Sequence, residues 1–266
     1  MQVPTLVEML KCGVHFGHRS SKRHPGMAQY IFGEKDNVNI IDLQQTQDQL
    51  KKALAMVKEM GSTGKTILFV GTKRQAAGLV KKYAMSCEMP YVDNRWLGGL
   101  LTNFKNVIAV PQKLTTLKQQ RETGELGKYT KKEQLEFDRE IERLELSVGG
   151  LEILPRLPDA VFVVDVREEK TAVREANQLG IPVIAMCDTN VDPQFVETVI
   201  AANDDAIKSI EMILKLVSEA ISAGRAAPKQ AEANIRAAGV AAPEKPAKRA
   251  ADEVAETPAA ETPATA

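Results

Sequence analysis

Nothing in this sequence approaches the roughly 20 consecutive apolar residues that a membrane-spanning helix needs. The N-terminus, Met1-Gln2-Val3-Pro4-Thr5-Leu6, lacks the basic-then-apolar order of a secretory leader. Cysteine is scarce. Cys12, Cys87 and Cys187 are far apart, odd in number and without a C-x-x-C pair. That excludes a disulfide framework and a zinc ribbon, and points to reduced thiols in a cytosol. Enzyme signatures are missing too. No G-x-G-x-x-G follows an apolar run, no Ser or Cys occupies a nucleophile elbow, and His15, His18 and His24 are the only histidines. Formal net charge is also absent, at +0.

The nearest approach to a nucleotide motif is Gly61-Ser62-Thr63-Gly64-Lys65-Thr66. A phosphate-binding loop needs a glycine five positions before Gly64, where Glu59 stands. It also needs its strand before the loop and its helix after, so that backbone N–H groups face the phosphates. Here the order is reversed: Leu50, Leu54 and Val57 mark a helix before it, and Ile67-Leu68-Phe69-Val70 a strand after it. The segment reads as a helix stop and turn.

What is present is a soluble composition, 44% hydrophobic and 26% charged, over 266 residues, enough chain for a substantial core. Short apolar runs at 38–41, 67–70, 90–92, 160–164, 182–186 and 198–200 alternate with helical patterns over roughly 46–60, 73–86, 170–179 and 204–222. That alternation predicts an α/β fold, a Rossmann-like, mainly parallel sheet flanked by helices on both faces.

Between its two halves the period changes. Val107, Val110, Leu114 and Leu117 are spaced 3, 4, 3, and Phe137, Ile141, Leu144, Val148 and Leu151 are spaced 4, 3, 4, 3. A turn at 123–127 and a capping-box pattern from Thr130 to Glu133 separate them. This predicts an inserted, protruding coiled-coil hairpin, kinked at Pro111. The organisation expected is residues 1–103 as the first part of the α/β domain with a basic N-terminal segment, 104–151 as the hairpin, and 152–223 as the second part. Residues 224–266, rich in Ala, Pro, Glu, Lys and Thr without an aromatic, read as a disordered tail.

The zero net charge hides an imbalance. Residues 1–110 carry 15 Lys+Arg against 8 Asp+Glu, whereas residues 151–220 carry 6 against 13. Screening limits charge attraction to about 8–10 Å at physiological salt, so a polyanion responds to the local field. A basic first half therefore admits RNA as a partner. The candidate contacts are Lys11, His15, His18, Arg19, Lys22 and Arg23 near the N-terminus, Lys73 and Arg74 after an apolar run, and Arg95, Trp96, Thr102, Asn103 and Lys105 in and after the glycine-bearing loop. Core packing is the plainer reading of Trp96, and backbone hydrogen bonding that of the histidines. His15 and His18, with Asp188, Asp204 or Asp205, also form a candidate Mg or Zn set. Asn203-Asp204-Asp205 is otherwise explained as a helix N-cap and first turn. A Rossmann-like enzyme or binder of a phosphorylated small molecule is the alternative function, because ligands of parallel sheets sit past the strands' carboxyl ends.

Several segments, in order, resemble the bacterial small-subunit ribosomal protein S two family. They are Gly13-Val14-His15-Phe16-Gly17-His18, Ile40-Ile41-Asp42-Leu43, Ile67-Leu68-Phe69-Val70-Gly71-Thr72-Lys73, the run Arg95-Trp96-Leu97-Gly98-Gly99-Leu100-Leu101-Thr102-Asn103-Phe104, Leu157-Pro158-Asp159, Leu179-Gly180-Ile181-Pro182-Val183 and Asn203-Asp204-Asp205-Ala206-Ile207. The resemblance spans about Leu6 to Ala220. It implies an α/β domain with a protruding hairpin, bound to small-subunit ribosomal RNA where head and body meet, in the cytoplasm. It also implies contact with neighbouring small-subunit proteins, a part in holding ribosomal protein S one for mRNA capture, no enzymatic activity and no required cofactor. The chain departs from the family pattern at Ala201-Ala202, where Pro-Gly is usual, and at Arg23-His24-Pro25-Gly26, where Trp-Asn-Pro-Lys is frequent.

Overall fold

Four- and five-residue runs of wholly buried side chains build the centre of the protein: β4 (Ile67–Val70), β6 (Ala160–Val164) and β7 (Val183–Cys187). With β5 (Tyr91–Val92) and β8 (Thr198–Ala201) they form a five-stranded, all-parallel sheet in the order β5-β4-β6-β7-β8. A parallel sheet buried on both faces needs no polar–apolar alternation, which is why these strands read as continuous apolar runs. The computed structural model describes residues 3–237, with side chains described to Ala226. The chain up to Lys229 is one compact unit; of the second, Gln230–Ala266, the described part is helix.

Each face of the sheet has its own apolar cluster. On one, α2 (Leu43–Ser62), α3 (Ala77–Ser86) and α8 (Ile207–Ala237) send Leu50, Val57, Val80, Ile213 and Val217 onto Ile67, Phe69 and Phe162. On the other, Leu68, Val161 and Val163 meet side chains from α5 (Ala109–Glu122), α6 (Lys131–Val148) and α7 (Lys170–Gln178). The pair α5 and α6 carries the apolar period seen in the sequence, and Thr130 and Glu133 form the expected capping box. Lys113–Glu140 and Lys118–Glu145 ion pairs cross between the two helices. Leu114, Leu117, Ile141 and Val148 of the pair are buried in the cluster on the sheet's second face. The helix is interrupted at Ile108, just ahead of Pro111. Lacking an N–H to bond back to Val107, Pro111 lies in the first turn of α5, and the short α4 (Phe104–Val107) ends just before it.

Two of these expectations need correction. The apolar run 38–41 is not a parallel strand. It is β3 (Val38–Ile41), the middle of a three-stranded antiparallel sheet with β1 (Phe16–Arg19) and β2 (Ile31–Lys35). Only Asp36 and Asn37, both with positive φ, join β2 to β3, a hairpin turn too short for a parallel crossover. The last helix does not stop at Ser222 but continues to Ala237, over the first part of the segment read as a tail from residue 224. The remainder of that tail lies outside the described residues. Gly224, inside this helix, is a close-packing position: a Cβ there would run into the Lys58 carbonyl oxygen. Gly64, by contrast, is the turn the sequence predicted, with φ +68 and no close neighbour. α1 (Leu6–Lys11) precedes β1, Cys12, Cys87 and Cys187 are free thiols, and among the described residues no helix is long and apolar enough to cross a membrane.

Candidate nucleic-acid interface

In a parallel sheet the carboxyl ends of the strands form the ligand crevice. Here that crevice is filled by the chain's own acids. Asp165 follows β6, Asp188 follows β7, and Asp204 and Asp205 precede α8. The Lys73 ammonium, just beyond β4, lies 3.0 Å from Asp165, 2.8 Å from Asp204 and 2.6 Å from Asp205. Burial pulls its pKa down, but the hydrogen bonds it donates to Asp204 and Asp205 outweigh that and raise it above the ordinary lysine value. The Thr72 N–H, placed where it would face a phosphate, donates to Glu169 at 2.7 Å. The phosphate contact expected of Lys73 is therefore corrected: its charge is committed inside the protein.

Asp204 is 1% exposed. Burial, then the nearby Asp165 and Asp188 charges, push its carboxyl up to about 7 against the pull of Lys73, and its Oδ2 has no hydrogen-bond partner. His18 donates or accepts at Nδ1 with Asp188 at 2.8 Å, and that contact raises its pKa despite partial burial. Of the candidate metal set, the fold gathers His18, Asp188, Asp204 and Asp205, whose ligand atoms lie within 4.8 Å of one another. His15 is not among them; its ring stacks on Phe16 at 4.0 Å and its Nδ1 is buried without a partner. The cationic role within the cluster is already taken by Lys73, which binds two of the four residues directly.

A second polar centre was not foreseen. Glu175 of α7 is buried, and its two carboxylate oxygens accept from Trp96 Nε1 at 3.1 Å, from the backbone N–H of Gly99, Leu101 and Thr102, and from the Thr102 hydroxyl. Burial alone would raise this carboxyl, but the five donors hold it below the ordinary value. Trp96 is 9% exposed. Its indole N–H and the Thr102 hydroxyl, expected as RNA donors, are instead spent on shaping the 95–104 loop, as the plainer reading of Trp96 has it. Asn103 accepts from Asn106.

What remains at the surface is cationic. Lys11, Arg19, Lys22, Arg23, Arg74, Arg95 and Lys105 are exposed. The 16–24 segment is fixed by residues far along the chain: Thr189 takes the His18 N–H at its hydroxyl and the His24 N–H at its carbonyl. Sequence reasoning missed Arg167, Lys170 and Arg174, which are exposed. Their spacing of 3 and 4 was a legible one-face helical signal, hidden by the negative sum of their region.

Residues 9–224 match the family model "Ribosomal protein S2". A curated relative from Campylobacter hominis, "Small ribosomal subunit protein uS2", is 47% identical over 222 residues, covering 84% of this chain and 83% of its own. One from Sulfurimonas denitrificans with the same name is 46% identical, covering 84% and 86%. One from Campylobacter curvus is 44% identical over 244 residues, covering 91% and 93%. The fold and the crevice define a Rossmann-like protein without a catalytic site in that crevice. The chain belongs to the ribosomal protein S2 family, whose members are structural proteins and not enzymes.

Proposed function

We propose that the protein is a structural constituent of the small ribosomal subunit in the cytoplasm, held to small-subunit ribosomal RNA through exposed cations. The observation that carries this reading is the pairing of family membership with a crevice occupied by the chain's own carboxylates while Lys11, Arg19, Lys22, Arg23, Arg74, Arg95 and Lys105 stay exposed. RNA helices offer phosphates and 2′-hydroxyls more readily than base edges, so recognition needs presented donors and not a deep pocket. The exposed amide of Asn103 serves the same surface. The helices α5 and α6 are the docking element for ribosomal protein S one and neighbouring subunit proteins. Exposed Leu135 (50%) and Leu146 (68%) on α6 support that role.

Sedimentation of a cell extract tests the reading. The protein should travel with small subunits at low salt and leave them at high salt, with log K falling roughly 0.7–0.9 per phosphate neutralised for each decade of salt. Migration as free protein at low salt would overturn it. Leu135→Glu with Leu146→Glu, both exposed on α6, should weaken S one retention and spare RNA association.

A further inference from the structure

A cavity of about 630 Å³ opens between the 22–24 loop, α7 and the connection after β7. It lies beside the filled crevice and has the opposite electrostatic character. Lys22, Arg167, Lys170 and Arg174 line it, and none of the four is in an ion pair among the described residues. The one acid in its lining, Asp192, accepts the Gln194 N–H at 3.1 Å as the cap of the turn Pro193–Phe195. The walls also have an apolar part, formed by Val166, Val173 and Val191, each nearly fully buried.

Two further observations give the cavity a ligand chemistry. Phe195 lines it and is 56% exposed, an aromatic face offered to solvent at the edge of a cationic hollow. Asn177 Nδ2 bonds the Phe195 carbonyl at 2.8 Å and so holds that residue to α7. Asn190, also in the lining, has a buried Oδ1 without any hydrogen-bond partner. An unmet buried acceptor costs free energy until an N–H or O–H donor reaches it. Cations for a phosphate, an aromatic face for a base and an acceptor for a ring or exocyclic N–H are the three needs of a nucleotide. Single-stranded RNA presents such a unit when a base leaves its stack, and the volume is within the range of small-ligand sites.

We propose that this cavity takes one unpaired nucleotide of RNA, its phosphate among Lys22, Arg167 and Arg174 and its base against Phe195. The proposal rests on the reading of the chain as a binder of small-subunit RNA and adds a site to it.

The full chain is titrated with a labelled single-stranded ribonucleotide hexamer, with uridine 5′-monophosphate and with inorganic phosphate as competitors, and separately with small-subunit RNA. Arg174→Glu should weaken hexamer binding about 10-fold and flatten its salt dependence by roughly 0.7 in slope. Phe195→Leu should weaken it about 5- to 10-fold without changing that slope, and Phe195→Trp should restore it. Circular dichroism confirms that each variant folds, and any one variant that does not leaves the other two to decide. Unchanged hexamer affinity in both Arg174→Glu and Phe195→Leu overturns the site. Displacement of the hexamer by inorganic phosphate as readily as by uridine monophosphate reduces it to an anion patch, and nucleotide binding as tight as the hexamer's makes it a site for free nucleotides; either overturns the proposal. Wild-type protein that fails to bind small-subunit RNA removes the underlying reading as well. Wild-type binding matched by the pocket variants, with hexamer affinity also unchanged, removes only the pocket.

Discussion

Residues 1–110 and residues 151–220 have opposite charge balances, yet the difference at the surface is smaller than the sequence suggests. The first region displays its cations: Arg19, Lys22, Arg23, Arg74 and Arg95 are exposed. The second hides five of its thirteen acids. Asp165, Glu169, Glu175, Asp188 and Asp204 are each at most 8% exposed, whereas its Arg167, Lys170 and Arg174 remain outside. Charges inside a protein act on hydrogen-bond donors and on one another at low dielectric, and charges outside act on partners. A regional sum over the sequence mixes these two roles. Here five acids of one region build the fold, while most of the bases singled out in both regions, Lys73 apart, face the solvent.

The contrast breaks most sharply at Glu175. Glu175→Ala strands the donors of Trp96, Gly99, Leu101 and Thr102, and should cost about 3–5 kcal/mol of stability. Urea unfolding checks this, and a change too small to resolve would mean that the carboxylate is replaceable by water. Lys73→Met leaves Asp165, Asp204 and Asp205 without their ammonium and should cost about 3 kcal/mol at pH 8, with part of the loss recovered at pH 5 as Asp204 protonates.

The wild-type protein titrates in the same direction. Asp204, raised to about 7, and His18, raised by Asp188, both bind protons more tightly when folded. Their contribution is present at low pH and lost as pH rises through their folded values, so stability should fall between pH 5 and 8. Asp204→Asn should flatten that slope in thermal melts taken across the range. Glu175, lowered by its donors, acts oppositely: its contribution is lost as pH falls through its folded value, below 4.5.

On the exposed side the effects move to RNA. Arg19→Glu with Arg23→Glu should weaken small-subunit RNA binding about 10-fold or more and reduce the salt slope by roughly 0.7–0.9 per lost contact. Filter binding at several salt concentrations measures both quantities, and an unchanged slope would take these two residues off the interface. The smallest expected change is in their stability: Arg23→Ala should shift unfolding by no more than about 0.5 kcal/mol.

The parallel sheet was legible because each buried strand is a bare apolar run ended by a turn residue. β1 was not, since Phe16-Gly17-His18-Arg19 alternates nothing and mixes glycine with charge. β2 and the turn at Asp36-Asn37 carried a readable hairpin signal that the apolar run 38–41 overshadowed. The exposed part of the candidate interface followed from residue type alone, as cations seldom bury unpaired. Lys73, Trp96 and Thr102 did not follow, because their partners are long-range. Trp96 meets Glu175 across 79 positions and Lys73 meets Asp204 across 131. Local pattern gives a side chain's capacity to donate, and only the tertiary fold gives the acceptor. The end of α8 was misplaced for a related reason: Gly224 serves a contact with Lys58 in α2, and the alanine-rich segment after it has strong helix propensity.

The anchoring of the 16–24 segment has a consequence for how the protein is made. His18 reaches Asp188 across 170 positions and Thr189 across 171. While the chain is being synthesised, this stretch can pair with β3 soon after it emerges, but its contacts to Asp188 and Thr189 must wait until those residues follow. The strand pairing of this basic segment is local while its anchoring is distant, so a prematurely released chain lacking residues 188–205 would carry the charges without the contacts that fix His18 and His24.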